Sequence, residues 1–95
     1  MTTLQRIEAY KHAIVNMKKN KRKGWEGICN WLRIWMYGFN NMHQINTFNV
    51  ARYFPEFKAF KPNHADPFWF SNDKERMVCL ELCILMAEDE LKNEL

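Results

Sequence analysis

The sequence contains few residues that interrupt regular secondary structure. Its 95 residues include three glycines and three prolines, too few for the many turns of a β-sandwich or β-barrel. Apolar residues make up 47% of the chain and aromatic residues 15%. A chain of this length and composition can fill one modest core. The composition therefore argues against a turn-rich all-β fold.

Features of secreted and membrane proteins are also missing. Cys29, Cys79 and Cys83 are an odd number of cysteines without a CxxC motif, which favours reduced thiols over a disulfide framework. The N-terminus has no apolar signal region, and the run Leu82–Ala87 is far too short to span a membrane. These absences predict a cytoplasmic protein without a membrane partner.

Motifs for catalysis and metal binding are lacking as well. His12, His43 and His64 do not have the spacing of metal ligands, and the chain has neither a glycine-rich phosphate loop nor an HExxH motif. Cys79 and Cys83 share a helix face, but no third ligand has a suitable spacing. Cysteine on an apolar helix face is usually a core residue. We therefore expect a protein that is not an enzyme and has no cofactor.

The chain is predicted to be a single all-α domain, residues 1–95, of three to four helices with an aromatic- and proline-containing loop before the last helix. Apolar residues recur at three- and four-residue steps over residues 3–21 and 25–38. Thr2 or Thr3 can cap the first helix, and Gly24 stands where a helix C-terminal glycine is expected. The apolar faces are Leu4, Ile7, Tyr10, Ile14 and Met17 in the first helix and Ile28, Trp31, Leu32, Trp35 and Phe39 in the second.

The second half predicts a short helix, a loop and a long last helix. Residues 47–54 form the short helix, which ends at Pro55, and the following loop has one helical turn at residues 56–60. The last helix begins after Asn72, a favourable N-cap residue with Glu75 at the capping-box spacing. Its apolar face contains Met77, Leu80, Cys83, Ile84, Ala87 and Leu91.

Charge is divided between the two parts of the sequence. Residues 1–61 carry 11 basic and 3 acidic side chains, net +8, whereas residues 62–95 carry 3 basic and 8 acidic side chains, net −5. One interpretation is an interaction surface. The other is that the first and last helices pack together and neutralise each other. Since the helix dipole prefers cations at the C-terminal end, the acidic C-terminal segment is predicted either to fray or to meet basic groups, for which the run Lys18–Lys23 is the candidate.

The basic run itself has three interpretations. Lysine and arginine at a helix C-terminus are stabilised by the free carbonyl groups there, so the run can be a solvated helix end. It can also be an electrostatic patch that docks an acidic protein partner, or it can contact the phosphates of a nucleic acid. The residues of this patch are Lys18, Lys19, Lys21, Arg22 and Lys23.

Aromatic residues are concentrated between Phe48 and Phe70, with Arg52, Lys58 and Lys61 interleaved. Such a mixture can form a stacking platform with cationic partners for a base or nucleotide. Alternatively, the rings attach the loop to a small helical core. The aromatic residues concerned are Phe48, Tyr53, Phe54, Phe57, Phe60, Phe68, Trp69 and Phe70.

Three segments, GWEGICNWL, YFPEFKAFKP and FWFSNDKERMVCLE, resemble a loose group of small proteins encoded by tailed bacteriophages. The resemblance covers residues 24–84, although Ser71 stands where proline is expected after the aromatic pair. It implies a phage origin and, by association, a product that binds a host protein or sequesters a host signal. The matching positions are Gly27, Cys29, Trp69, Phe70, Asp73, Arg76 and Leu80.

The last segment also predicts a ligand site. Trp69 and Phe70 precede a helix N-terminus, whose free N–H groups attract anions, and Arg76 follows at the end of the first turn. A phosphate or carboxylate could sit there. Alternatively, the aromatic pair staples the helix entry and Arg76 pairs with an acidic neighbour. The candidate ligand- or partner-binding residues are Arg52, Lys61, Trp69, Phe70 and Arg76.

The function that follows from these patterns is a small, non-catalytic interaction protein. The leading hypothesis is a phage-encoded inhibitor that binds a host defence protein, because exposed aromatic and arginine residues are typical interface anchors. A sponge that sequesters a nucleotide signal and a weak nucleic-acid-binding protein that uses the basic run are the alternatives. The sequence leaves a homo-oligomer open.

Overall fold

The computed structural model describes residues 2–19, 24–37, 49–60 and 72–94, and for Trp25, Met36 and Tyr37 only the backbone. The described residues form helices and no strand, so the predicted all-α class is confirmed. The elements are α1 (Thr3–Lys18), α2 (Gly24–Tyr37), α3 (Val50–Tyr53), a 3₁₀ helix (Pro55–Ala59) and α4 (Asp73–Glu94).

Helix α1 begins with a capping box and has two buried sides. Thr2 accepts a hydrogen bond from the Gln5 N–H, and the Gln5 side chain accepts one from the Thr2 N–H. The helix ends at Lys18, three residues earlier than predicted. Leu4, which was predicted to be in the apolar stripe, is 54% exposed. The buried residues that let α2 and α4 pack against α1 are Ile7, Ala9, Tyr10, Ala13 and Met17.

Gly24 is the first residue of α2 and not the glycine that ends α1, so this part of the prediction is wrong. Its φ angle of 76° lies in the left-handed region, which glycine adopts at little cost. Its N–H donates to Asp73 Oδ1 at 2.9 Å. This hydrogen bond connects the beginning of α2 with the beginning of α4.

The apolar face of α2 is buried as predicted where the structure describes it. Ile28, Cys29 and Leu32 are buried against the core. Trp31 and Trp35 are half-buried and pack against the same core, with their rings 6.3 and 5.8 Å from the His12 ring of α1. The two tryptophans therefore help to join α2 to α1.

The short α3 and the 3₁₀ helix insert two aromatic rings into the core. Phe54 and Phe57 are fully buried, with ring centroids 5.5 and 5.9 Å from that of Tyr10. These two rings are therefore unavailable as a stacking platform, and they attach this segment to α1. Tyr53 and Phe60 are half-buried beside them. The other aromatic residues of the predicted platform, Phe48, Phe68, Trp69 and Phe70, lie outside the described residues.

The N-terminus of α4 has the predicted cap. Asn72 Oδ1 accepts from the Glu75 N–H at 2.9 Å, and Asn72 Nδ2 donates to Glu75 Oε1 at 2.7 Å. The buried face is centred on the two cysteines rather than on Ile84, which is only half-buried. The fully buried residues of α4 are Cys79, Leu80, Cys83 and Ala87.

A buried ion pair holds three elements together. Arg6 of α1 and Glu56 of the 3₁₀ helix are each 8% exposed. Arg6 Nε donates to Glu56 Oε1 at 3.0 Å, and Arg6 Nη2 donates to Oε2 at 3.1 Å. The Tyr10 hydroxyl also donates to Glu56. Arg6 Nη2 donates further to Glu90 Oε2 of α4 at 3.1 Å, so that one guanidinium links α1, the 3₁₀ helix and α4.

The surroundings fix the charge states of this cluster. Burial lowers the pKa of the Arg6 guanidinium, but its hydrogen bond to Glu56 and the negative charges of Glu56 and Glu90 outweigh burial and raise it. Burial, reinforced by Cys83 and Glu56, raises the pKa of the Tyr10 phenol well above its usual range. Arg6 therefore stays charged and Tyr10 stays neutral in the physiological pH range.

The same contacts show that α1 and α4 run antiparallel. Thr3 Oγ1 donates to Glu94 Oε1 at 2.7 Å near the start of α1 and the end of α4. The acidic C-terminal segment therefore meets Thr3 and Arg6, and the prediction that it meets the basic run is wrong for Lys18 and Lys19 at the other end of α1. The rest of the run lies outside the described residues. Among the described residues, the ion pair between Arg6 and Glu90 is the only one that joins α1 to α4. Side-by-side packing of α1 and α4 thus does not pair most of their opposite charges with each other.

We expect Glu56→Ala to lower the free energy of unfolding by about 3–5 kcal/mol, because it leaves the Arg6 charge buried without its main partner. Urea denaturation followed by circular dichroism measures this loss. Glu90→Ala is the matched control, since the Glu90 side chain is 51% exposed, and it should cost at most about 1 kcal/mol. Equal losses in the two variants would contradict the role assigned to the buried pair.

Candidate interaction face on the last helix

Helix α4 has a second apolar side that faces away from the core. Val78, Leu82 and Leu85 are 47%, 40% and 61% exposed. They follow one another at four- and three-residue steps, so they lie on one face of the helix. The buried Leu80, Cys83 and Ala87 occupy the opposite side. We call Val78, Leu82 and Leu85 the α4 stripe.

Other exposed aliphatic residues in the described part of the chain are more scattered. Leu4 and Val15 on α1 are 54% and 50% exposed, but they are separated by roughly 16 Å along the helix. Ile34 is a single exposed residue on α2, at 39%. Isolated apolar residues are normal on a protein surface, whereas adjacent ones mark contact sites. The α4 stripe is therefore the best candidate for an interaction face among the described residues.

Charged side chains border the stripe, and most of them are acidic. Carboxylates stand along the whole helix, while Lys74 lies in its first turn and Lys92 in its last turn. The α4 dipole adds to the negative potential at the C-terminal end. The exposed charged residues on this side of α4 are Lys74, Glu75, Glu81, Glu88, Asp89 and Lys92.

The three cysteines belong to the core, and two of them lie in α4. Cys29, Cys79 and Cys83 are buried free thiols. Burial, reinforced by Glu26, raises the pKa of Cys29 to about 12. The hydrogen bond with Cys79, together with burial, raises the pKa of Cys83 well above its usual range. The thiols of Cys29 and Cys83 therefore stay protonated at neutral pH and are poor nucleophiles. We interpret all three buried cysteines as core residues.

Of the residues predicted to bind a ligand or partner, the structure describes Arg52 and Arg76. Arg52 is exposed in the last turn of α3. Arg76 is half-buried in α4, and its Nη1 donates to Asp73 Oδ1 at 2.8 Å, as the alternative interpretation of this residue predicted. Lys61, Trp69 and Phe70 lie outside the described residues. The described part of the predicted ligand site therefore consists of one exposed arginine and one arginine that pairs with an aspartate.

The structure describes the first two residues of the predicted basic patch. Lys18 and Lys19 are exposed at the C-terminal end of α1, while Lys21, Arg22 and Lys23 lie outside the described residues. Because α1 and α4 run antiparallel, this end of α1 points toward the N-terminal half of α4.

Comparisons with protein-family models, curated proteins and solved structures give no match. In the described part of the chain, no three His, Cys, Asp or Glu side chains form a group that could hold a metal ion. None of the described helices has both the length and the hydropathy required to cross a membrane. The site is therefore interpreted from its own geometry.

Sequence analysis did not identify the α4 stripe, although its spacing was visible. Residues 78, 82 and 85 have the same three- and four-residue steps as the predicted core face. The segment from Val78 to Ala87 contains aliphatic residues all around the helix. Periodicity alone cannot tell which of two apolar faces is buried. The spacing could have indicated two apolar faces, but only the packing against α1 distinguishes them.

Buried Cys29 predicts a specific dependence of stability on pH. Above pH 9 the unfolded chain loses this proton, whereas the folded chain keeps it until about pH 12. Stability therefore falls as the pH rises through this window, by about 1.4 kcal/mol per pH unit for one such group. In urea titrations under reducing conditions, Cys29→Ala should remove this contribution and give a shallower decline above pH 9. An unchanged slope would contradict the burial of this thiol.

Proposed function

We propose that the protein is a non-catalytic interaction protein and that the α4 stripe binds a protein partner. The observation that carries this proposal is the exposure of three adjacent aliphatic side chains, Val78, Leu82 and Leu85, at 47%, 40% and 61%. A helix that presents such a stripe can dock on an apolar groove or against another helix. The buried state of the described cysteines also supports a role without covalent chemistry.

The partner is expected to present apolar side chains flanked by lysine or arginine. Complete burial of an aliphatic side chain contributes about 1.5–3 kcal/mol. A bound partner would complete the burial of the three half-exposed residues of the stripe, which would then anchor a larger contact. The bordering carboxylates contribute mainly specificity and the rate of association, because exposed ion pairs add little affinity. A basic rim on the partner would match Glu81, Glu88 and Asp89.

The resemblance to small phage proteins makes a protein of the bacterial host the first candidate for this partner. In that case the protein acts in the bacterial cytoplasm, and inhibition of a host defence protein is the simplest result of covering its surface. The charge complementarity restricts the candidates to host proteins with a basic and apolar surface.

Neither alternative function has comparable support. A nucleotide sponge would need Arg76, which pairs with Asp73, and it would need Lys61, Trp69 and Phe70, which lie outside the described residues. Nucleic-acid binding would use Lys18 and Lys19, which are exposed. A thermal-shift scan with cyclic nucleotides tests the first alternative. Retention on heparin before and after neutralisation of Lys18, Lys19, Lys21, Arg22 and Lys23 tests the second.

Binding through the α4 stripe is tested in two stages. A photoreactive benzoylphenylalanine at Leu85 should crosslink the partner in bacterial cells, and the same group at Val15 on α1 should not. The partner is then purified and its affinity is measured by calorimetry. Leu82→Glu should weaken binding at least about tenfold, because it places a charge in a contact that excludes water.

Val15→Glu is the matched control, because Val15 is 50% exposed and belongs to another helix. It should leave the affinity of the partner unchanged. Circular dichroism should show that both variants fold. Equal effects of the two substitutions, or full affinity in Leu82→Glu, would contradict the proposed binding face.

A further inference from the structure

The α4 stripe has a carboxylate at each end. Glu75 stands three residues before Val78, Asp89 stands four residues after Leu85, and both carboxylates are exposed. Together with the stripe they form one series of three- and four-residue steps, which follows a single face of the helix. The apolar part of the series is about 10 Å long and the whole series is about 21 Å long. This face therefore presents three apolar anchors between two negative ends.

We infer that the partner receives α4 in a groove whose apolar floor is about two helical turns long, with a lysine or arginine at each end. This inference rests on the proposed function, because it specifies the surface that the α4 stripe would bind. Anchors at positions i, i+4 and i+7 are typical of a helix that enters an apolar groove. Val78, Leu82 and Leu85 have this spacing and fill the floor, while the two basic residues of the partner meet Glu75 and Asp89.

A long apolar helix of the partner does not fit this face. Two helices that pack along a seam need apolar residues at each successive three- or four-residue step. On α4 the steps beyond the stripe are occupied by Glu75 and Asp89. A longer apolar seam would press these two carboxylates against apolar side chains, which is costly. The apolar contact is therefore limited to the length of the stripe.

A second copy of the chain also fits this face poorly. If two stripes covered each other with their helices antiparallel, Glu75 of each copy would lie beside Asp89 of the other. This repulsion would offset the attraction between Lys74 and Glu88. In a parallel arrangement each carboxylate would lie beside its own counterpart. Both ends of the series require positive charge, and the stripe of a second copy does not supply it.

The surface on both sides of the stripe favours a groove over a flat contact. The exposed Glu81 and Glu88 lie along one edge of the stripe, and the half-buried Met86 lies along the other. A flat surface would cover little more than the three anchors, and small interfaces bind weakly. The two walls of a groove also cover the edges, so the contact becomes larger without a longer apolar stripe.

The two ends of the series differ in their negative potential. Residues 73–76 carry two acidic and two basic side chains, whereas residues 88–94 carry four acidic side chains and one basic. Of these four, Glu90 is paired with Arg6. The helix dipole is positive at the first end and negative at the second. The basic residue that meets Asp89 therefore contributes more to binding than the one that meets Glu75.

Crosslinks from the two edges of α4 test the groove. Benzoylphenylalanine is placed at Glu81 on one edge and at Met86 on the other, and mass spectrometry identifies the crosslinked residues of the partner that Leu85 captures. The two positions should reach two different segments of this partner. Crosslinks from all three positions to a single helix, or to a second copy of this chain, would overturn the inference.

Charge reversal tests the basic ends of the groove. Asp89→Lys should raise the dissociation constant of the purified partner about three- to tenfold in calorimetry, since it replaces an attractive pair with a repulsive one. Glu75→Lys should raise it less. Glu8→Lys is the matched control, because Glu8 is exposed on α1 and the change in net charge is the same. Circular dichroism should show that all three variants fold. An effect at Asp89 no larger than at Glu8 would overturn the inference.

These results distinguish the groove from the proposed function. If Leu82→Glu weakens binding but the edge crosslinks fall on one helix, or Asp89→Lys acts no more strongly than Glu8→Lys, the proposed function stands and the groove is excluded. If Leu85 captures no partner, or Leu82→Glu leaves the affinity unchanged, the proposed function fails and the groove fails with it.

Discussion

The buried ion pair between Arg6 and Glu56 is the constraint on which the other features depend. Burying two charges is costly, and the cost is recovered only when the hydrogen-bond geometry is complete. Arg6 meets this condition by reaching Glu56 and Glu90 at once, while Tyr10 satisfies the remaining capacity of Glu56. Few arrangements of α1, the 3₁₀ helix and α4 satisfy all of these contacts. We infer that the pair contributes mainly to the specificity of the fold.

The surface of α4 follows from this arrangement. The antiparallel packing of α1 and α4 is supported by Arg6 and Glu90 at one end and by Gly24 and Asp73 at the other. With the cysteine side of α4 turned inward, Val78, Leu82 and Leu85 must face outward. The same packing keeps the basic end of α1 away from the acidic end of α4. An exposed apolar stripe and a separation of charge thus have one common origin.

The proposed function depends on one face of α4. Aliphatic side chains in water favour any contact that covers them. The charges beside the stripe restrict which surfaces fit, because Glu81, Glu88 and Asp89 attract a basic partner and repel an acidic one. In the proposed complex the stripe supplies affinity, and the carboxylates supply specificity.

The sequence alone determined the helical class, an N-cap at Thr2 or Thr3, the Asn72 cap and most of the core positions, because capping and periodicity are local properties of the chain. It did not determine that Leu4 is exposed or which apolar side of α4 is buried. Aliphatic residues surround α4, and its inward side is decided by contacts between residues far apart in the sequence, above all those of Arg6. The separation of charge likewise depended on the direction of α4 relative to α1. Only the tertiary structure could therefore reveal the candidate face.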